Sequence, residues 1–143
     1  MWRESMSSKN RHNQKHGSTI ERSDERINQT AEVFTPLALV EQMIAEIPAS
    51  KLKDPDSKFM DNCAGSGNFV LCMYEALLEY HTREHIIDNM IYAVELMEDN
   101  HSEMCKRLGV PTDHPHFVCA DATQYHYRFD GTTGPVTMDQ FVV

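Results

Sequence analysis

The spacing of apolar residues changes along the chain, and this spacing predicts helices and strands. Between residues 30 and 48 the pattern is helical, and four apolar side chains fall on one face: Leu37, Val40, Ile44 and Ile47. Thr35 fits the N-cap of this helix, Pro36 fits its first helical position, and Pro48 ends it. Residues 1–29 are polar with almost no apolar periodicity. We therefore expect a polar N-terminal arm followed by a domain over residues 30–143.

Beyond Pro48, short apolar runs alternate with helical patterns. Four runs have the length of strands: residues 58–62, 89–96, 116–120 and 138–143. Two helices are predicted between the first three strands, over about residues 68–80 and 98–108, and a loop over residues 51–58. The first helix should bury Phe69, Met73, Ala76, Leu77 and Tyr80. Gly109 should end the second helix. Buried strands joined by helical crossovers make a parallel sheet, so the pattern predicts an α/β fold.

One turn in this pattern has the composition of a ligand-binding loop: KFMDNCAGSGNF, residues 58–69. Glycine lets the backbone approach a bound molecule, and the first N–H groups of the following helix favour a negative ligand group. A dinucleotide fingerprint would need a third glycine where this chain has Val70, and the Gly-Lys-Ser/Thr of a Walker loop is absent. What remains is Asp61 four positions before Gly65 and Gly67. The alternative is a glycine turn that closes an ordinary strand–helix unit.

Acidic residues stand at the ends of three successive predicted strands: Asp61, Glu95 and Asp121. Ligands of open parallel sheets bind outside the carboxyl ends of the strands. Any one of these acids has a simple explanation as a turn or cap residue. Three of them beside a Gly-Ser-Gly loop favour one shared crevice.

Composition narrows the classes of function. The net charge of the 143 residues is −9, and only the first 30 residues have more Lys/Arg than Asp/Glu, so the body of the chain is a poor candidate for nucleic-acid binding by itself. The four cysteines lack zinc-finger spacing and are expected to be free, mostly buried thiols, with no metal site. No apolar run reaches the ~20 residues of a membrane span, and a cytoplasmic protein is the default expectation.

Four segments together resemble the adenine-N6 DNA methyltransferases of restriction-modification systems, from about Thr30 to Val143. AEVFTPLALVEQM resembles motif X of that family, DNCAGSGNF motif I, YAVELMEDN motif II and VCADAT motif III. The resemblance implies a Rossmann-like fold that binds S-adenosylmethionine. Within this chain the fold would be truncated after the fourth strand.

The resemblance also assigns roles to residues of this sequence. Phe34, Thr35 and Pro36 would line the methionine end of the cofactor, above a loop formed by Asp61, Ala64, Gly65 and Gly67. Glu95 would accept hydrogen bonds from both ribose hydroxyls, and Asp121 from the exocyclic amine of the adenine. Leu96 and Ala122 would flank the adenine ring.

The catalytic motif IV of the family, Asp/Asn/Ser-Pro-Pro-aromatic, does not occur in the sequence, which has no Pro-Pro pair. We therefore name no catalytic residue and expect methyl transfer to adenine only if that loop is supplied elsewhere. DNA is a partner by resemblance, and the edge of the fourth strand could pair with a second copy or another methyltransferase subunit. Two alternatives stay open: a non-catalytic protein that binds the cofactor, sequesters it in phage-infected cells or partners a methyltransferase, and an enzyme with an RNA or small-molecule acceptor.

Overall fold

The computed structural model of the protein describes residues 35–124 and 127–132. The predictions for the arm over residues 1–29, for Phe34 and for the strand over residues 138–143 lie outside these residues. Among the described helices, none combines the length and apolar character needed to cross a membrane.

Helices and strands alternate through the described part of the chain. In order they are α1 (Leu37–Ala45), α2 (Ala49–Lys53), β1 (Phe59–Asp61), α3 (Asn68–Leu77), α4 (Arg83–Asn89), β2 (Ile91–Glu95), α5 (Glu98–Leu108) and β3 (Phe117–Cys119). The three strands form one sheet in the order β1-β2-β3, and both pairings are parallel. Asp61 lies opposite Ala93, and Glu95 lies opposite Cys119.

Parallel strands need crossover connections, which α3 and α4 supply between β1 and β2, and α5 between β2 and β3. The central strand β2 is buried along most of its length, as its continuous apolar run predicts. This α/β arrangement confirms the predicted fold class. Over the described residues, the parallel sheet with helical crossovers is the arrangement of a Rossmann-like fold.

The core lies where the helices pack on the sheet. Its fully buried members include Leu77, Ile86, Met90, Ala93, Met104 and Cys105. Completely burying one Leu, Ile or Met side chain contributes about 1.5–3 kcal/mol to stability. Helices α3, α4 and α5 therefore hold the sheet and the loops at its carboxyl end in place.

Three local predictions are wrong. The predicted bounds of α1 differ from the structure: Thr35 is not its N-cap and Pro36 is not its first helical residue, because the helix spans Leu37–Ala45 with Pro36 as N-cap and no side-chain cap, and it ends before Ile47 and Pro48. Part of the predicted loop over residues 51–58 belongs to α2, whose first turn forms as the N–H of Lys51 donates to the carbonyl of Pro48 over 2.9 Å. The following helix α3 ends at Leu77, so Tyr80 lies beyond it and is 40% exposed rather than buried.

Helix α4 has no counterpart in the sequence-based prediction. Its N-cap is Thr82, whose hydroxyl accepts a hydrogen bond from the N–H of His85 over 3.3 Å. Ile86 and Ile87 anchor it in the core. Seven residues with two adjacent apolar positions give no helical period, which is why the pattern alone did not predict it.

All four cysteines are free thiols, as expected, but the expectation of burial holds for only half of them. Cys72 and Cys105 are buried, whereas Cys63 and Cys119 are exposed. Both exposed thiols lie near the carboxyl ends of strands, at Cys63 after β1 and Cys119 at the end of β3.

Candidate functional site

The carboxyl ends of the parallel strands place their following loops at one edge of the sheet. Asp61 and Glu95 are the last residues of β1 and β2, and Asp121 follows β3 by two positions. The sequence-based placement of three acids at strand ends is therefore correct. The three carboxylates differ in their burial and in their hydrogen-bond partners.

Hydrogen bonds connect the glycine turn after β1 to β2. The N–H of Ala64 donates to the carbonyl of Val94 over 3.0 Å, and the N–H of Gly65 donates to Oε1 of Glu95 over 3.3 Å. Gly65 has φ +57°, and a Cβ added there would meet no atom within 4 Å. The backbone at Gly65 therefore faces open space, in the left-handed conformation that glycine adopts readily.

Gly67 has a different environment from Gly65. Its φ is +95°, and a Cβ there would lie 2.8 Å from Cγ and 3.2 Å from Cβ of Met104 in α5. The missing side chain thus makes room for the close packing of α5 against the turn. Gly67 is therefore a packing position, whereas Gly65 leaves open space beside the turn.

A cleft of about 60 Å³ opens beside the turn. It brings together residues from the predicted motif X and motif I segments: Thr35, Val40, Asp61, Cys63, Ala64, Gly65, Ser66, Asn68 and Phe69. Four of the predicted site residues, Thr35, Asp61, Ala64 and Gly65, thus share one cleft. Pro36 is exposed beside Thr35 at the start of α1.

Glu95 is buried, with 5% of its surface exposed, and both oxygens of its carboxylate are hydrogen-bonded within the protein. Oε1 accepts from the N–H of Gly65, and Oε2 accepts from Nδ2 of Asn100 over 2.9 Å. A carboxylate has about four lone-pair sites, so one donor on each oxygen leaves each able to accept again. Two donors of the protein itself therefore hold this side chain in place.

Asp61 and Glu95 are close enough to influence each other. Burial raises the pKa of the Asp61 carboxyl, and the negative charge of Glu95 raises it further. A hydrogen bond over 3.0 Å from the N–H of Cys63 to Oδ1 opposes both effects. Two carboxylates therefore stand at the edge where the glycine turn meets β2.

Asp121 is arranged as a turn residue. Its Oδ1 accepts from the N–H and the hydroxyl of Thr123, over 2.9 and 2.6 Å, and these bonds lower the pKa of the carboxyl. Leu96 is 55% exposed after β2, and Ala122 is half-buried in the turn after β3. These three residues lie along the same edge but do not line the cleft beside Gly65.

Two side chains of α5 support the site without having been predicted. Asn100, fully buried, bonds Glu95, and Arg107 donates to the carbonyl of Ser66 over 2.8 Å and to Oδ1 of Asn68 over 3.0 Å. Arg107 lies about forty positions from these partners in the sequence. No local pattern signals such contacts.

Across residues 35–124 and 127–132, no group of three or more His, Cys, Asp or Glu side chains is arranged to hold a metal ion.

Comparison with known proteins finds similar chains among solved structures. No protein-family model matches the chain, and no curated protein matches it. Among solved structures, the chain is similar to a modification subunit assigned to a type I restriction enzyme of Vibrio vulnificus YJ016, with a TM-score of 0.46 and 16% sequence identity. The match covers 71% of this chain and 22% of that subunit, so this chain spans less than a quarter of its length. A similarity this weak does not by itself indicate a shared function.

Proposed function

We propose that the chain is the S-adenosylmethionine-binding part of a DNA adenine-N6 methyltransferase. One observation carries the proposal: three separate segments that resemble motifs X, I and II meet at the carboxyl edge of the sheet. Thr35 and Asp61 line one cleft, and the N–H of Gly65 in that cleft is bonded to Glu95. An ordinary glycine turn would need neither the first helix nor a buried acid beside it.

The residues at this edge fit the chemical groups of the cofactor. The open space at Gly65 admits a ligand against the backbone, and the unused lone pairs of Glu95 suit two adjacent ribose hydroxyls. The exposed Leu96 and the half-buried Ala122 are the residues proposed to flank the adenine. Asp121 accepts from the adenine amine. The resemblance assigns Phe34, Thr35 and Pro36 to the methionine end of the cofactor, and Asp61, Ala64, Gly65 and Gly67 to the loop beneath it.

The bound cofactor would supply an electrophilic methyl group. The residues of this chain would hold and orient it, and none of them is proposed to hold the acceptor. The Pro-Pro-aromatic loop that positions the target amine in the family is absent from the sequence. We therefore expect methyl transfer to DNA only when that loop is supplied from outside these 143 residues. DNA, a second copy of the chain and a second methyltransferase subunit are the proposed partners.

Ligand-dependent thermal unfolding tests this proposal. A ligand that binds only the folded chain adds about 2.7 kcal/mol of stability at 100 times its dissociation constant. S-adenosylmethionine and S-adenosylhomocysteine should therefore raise the melting temperature by several degrees, whereas NAD⁺ and ATP at the same concentration should not. Equal shifts with all four ligands would reject a dedicated S-adenosylmethionine site.

A further inference from the structure

The side chain of Asn100 connects helix α5 to the acid at the end of β2. Asn100 is fully buried, and its Nδ2 donates to Oε2 of Glu95 over 2.9 Å. It is the third residue of α5, where a helical side chain points back toward the N-terminus and so toward the strand that precedes it. Only Leu96 and Met97 separate β2 from α5, so this direction brings the side-chain amide of Asn100 to Glu95.

A buried carboxylate needs donors that hold it, because rotation about its last torsion is otherwise only weakly restricted. The N–H of Gly65 reaches Oε1 over 3.3 Å, which is long for this type of hydrogen bond. The amide of Asn100 makes the shorter contact and takes the other oxygen. The two donors together fix the plane of the carboxylate and direct its remaining lone pairs.

We propose that Asn100 is a positioning residue that fixes the Glu95 carboxylate for recognition of a ribose diol. This inference rests on the proposed function, because it assumes that Glu95 accepts from the ribose of the cofactor. It adds a requirement that the proposed function does not contain: discrimination between ribose and deoxyribose ligands depends on a side chain that never touches the ligand. Asparagine is a poor helix former compared with leucine or alanine, and a buried amide is costly without partners. A role that requires the side-chain N–H donor therefore explains a buried asparagine at this position better than helix stability does.

The test compares two ligands on the full chain: S-adenosylhomocysteine and its 2′,3′-dideoxyribose analogue. The unsubstituted protein should bind the ribose form at least about tenfold more tightly, because hydrogen bonds to a charged group are lost in the analogue. Asn100→Leu, which has similar volume and no donor, should reduce this preference to within about threefold. Asn100→Gln retains an amide donor and should restore part of it. Ser102→Ala, at an exposed position of the same helix, is the control and should keep the full preference.

The possible outcomes distinguish failure of the proposed cofactor binding from failure of the role of Asn100. An unsubstituted, folded chain that binds neither ligand overturns the proposed function and this inference with it. A chain that prefers ribose equally in the unsubstituted and Asn100→Leu forms overturns the inference alone.

A second measurement needs no substitution and so does not depend on the folding of a variant. The side-chain amide signal of Asn100 in ¹⁵N-labelled protein should shift when the ribose ligand is added at saturation and shift markedly less with the dideoxy analogue. Identical shifts with both saturating ligands would contradict the inference.

Discussion

Gly67 packs so closely against Met104 that a Cβ on the glycine would lie 2.8 Å from Cγ of the methionine. Gly65, two positions earlier, would accommodate the same atom without any neighbour within 4 Å. The Gly-Ser-Gly turn therefore divides its two glycines between two purposes. One lets α5 pack against the turn, and the other leaves its surface open.

Replacing Gly67 by alanine should destabilise the fold more than a positive φ angle alone explains. A left-handed alanine costs about 1–2 kcal/mol, and forcing an atom into a packed contact costs about 1–3 kcal/mol more. Gly131 is a matched control, because its φ is +84° and the nearest atom to an added Cβ is 3.8 Å away. Urea unfolding should show a loss in Gly67→Ala that exceeds the loss in Gly131→Ala by about 1–3 kcal/mol. Equal losses would show that Met104 yields without cost.

Asp121 and Asp130 form the same turn at different places, which separates binding from stability. Each carboxylate accepts from the N–H and hydroxyl of a threonine two positions on, Thr123 in one case and Thr132 in the other. Asp121→Ala and Asp130→Ala should therefore change the unfolding free energy by similar amounts. Only Asp121→Ala should weaken S-adenosylmethionine binding, by about tenfold or more, because only it removes a charged acceptor at the site.

Calorimetric titration of the two variants measures both affinities, and unfolding curves supply the stability control. If Asp130→Ala weakened binding as much as Asp121→Ala, the loss would come from the turn and not from contact with the ligand.

The cysteines should react with alkylating reagents in two classes. Burial raises the pKa of Cys72 and of Cys105 to about 11, so at neutral pH both thiols are protonated as well as inaccessible. Burial and the charges of Glu98 and Glu95 raise the pKa of the exposed Cys119. We expect iodoacetamide at about pH 7.5 to label Cys63 and Cys119 in the folded protein. All four should be labelled in denaturant.

Peptide mass spectrometry gives the order of labelling. Cys63 lines the cleft, so saturating S-adenosylmethionine should slow its labelling more than that of Cys119. Labelling of Cys72 or Cys105 as fast as Cys63 in the folded chain would contradict the packing of α3 and α5 described above.

The carboxyl of Asp61 should cost stability at neutral pH. Burial, and then the charge of Glu95, hold its folded-state pKa above the ordinary value of about 3.9, so the native chain binds the proton more tightly than the unfolded chain does. Its contribution to stability is thus fully present below the unfolded pKa and is lost as the pH rises through the folded pKa. Asp61→Asn, which keeps an acceptor for the N–H of Cys63, should be more stable than the unsubstituted chain at pH 7.

Unfolding free energies measured from about pH 3 to pH 7 check this. The advantage of Asp61→Asn should grow with pH and vanish below the unfolded pKa. A variant that is less stable at pH 7, or an advantage that does not change with pH, would refute it.

Much of the fold follows from local signals in the sequence. The continuous apolar run of β2 ends at Glu95 as predicted, and α5 spans Glu98–Leu108 with Gly109 in the left-handed conformation just beyond it. These elements are predictable because apolar period and capping glycines act within a few residues. The two outer strands are only three residues long, shorter than their apolar runs, because pairing with β2 sets their bounds.

The site is less predictable than the fold, because its supporting contacts join distant residues. Sequence alone placed Glu95 at a strand end but could not reveal that Asn100 donates a hydrogen bond to its carboxylate. Nor could it distinguish Gly67 from Gly65, since the difference arises from Met104, a residue of another helix. The position of an acidic residue at a strand end can be predicted from the residues around it. Its exposure and its hydrogen-bond partners depend on how distant segments pack.

The central claim is that this edge of the sheet binds S-adenosylmethionine through Glu95, and isothermal titration calorimetry of the full chain tests it most directly. The unsubstituted chain should bind one equivalent, and Glu95→Ala should bind at least about tenfold more weakly, because it loses hydrogen bonds from the ligand to a carboxylate. Glu98→Ala, at an exposed acid three positions on, should leave the affinity unchanged. Absence of binding by the folded, unsubstituted chain, or an unchanged affinity in a folded Glu95→Ala variant, would contradict the account.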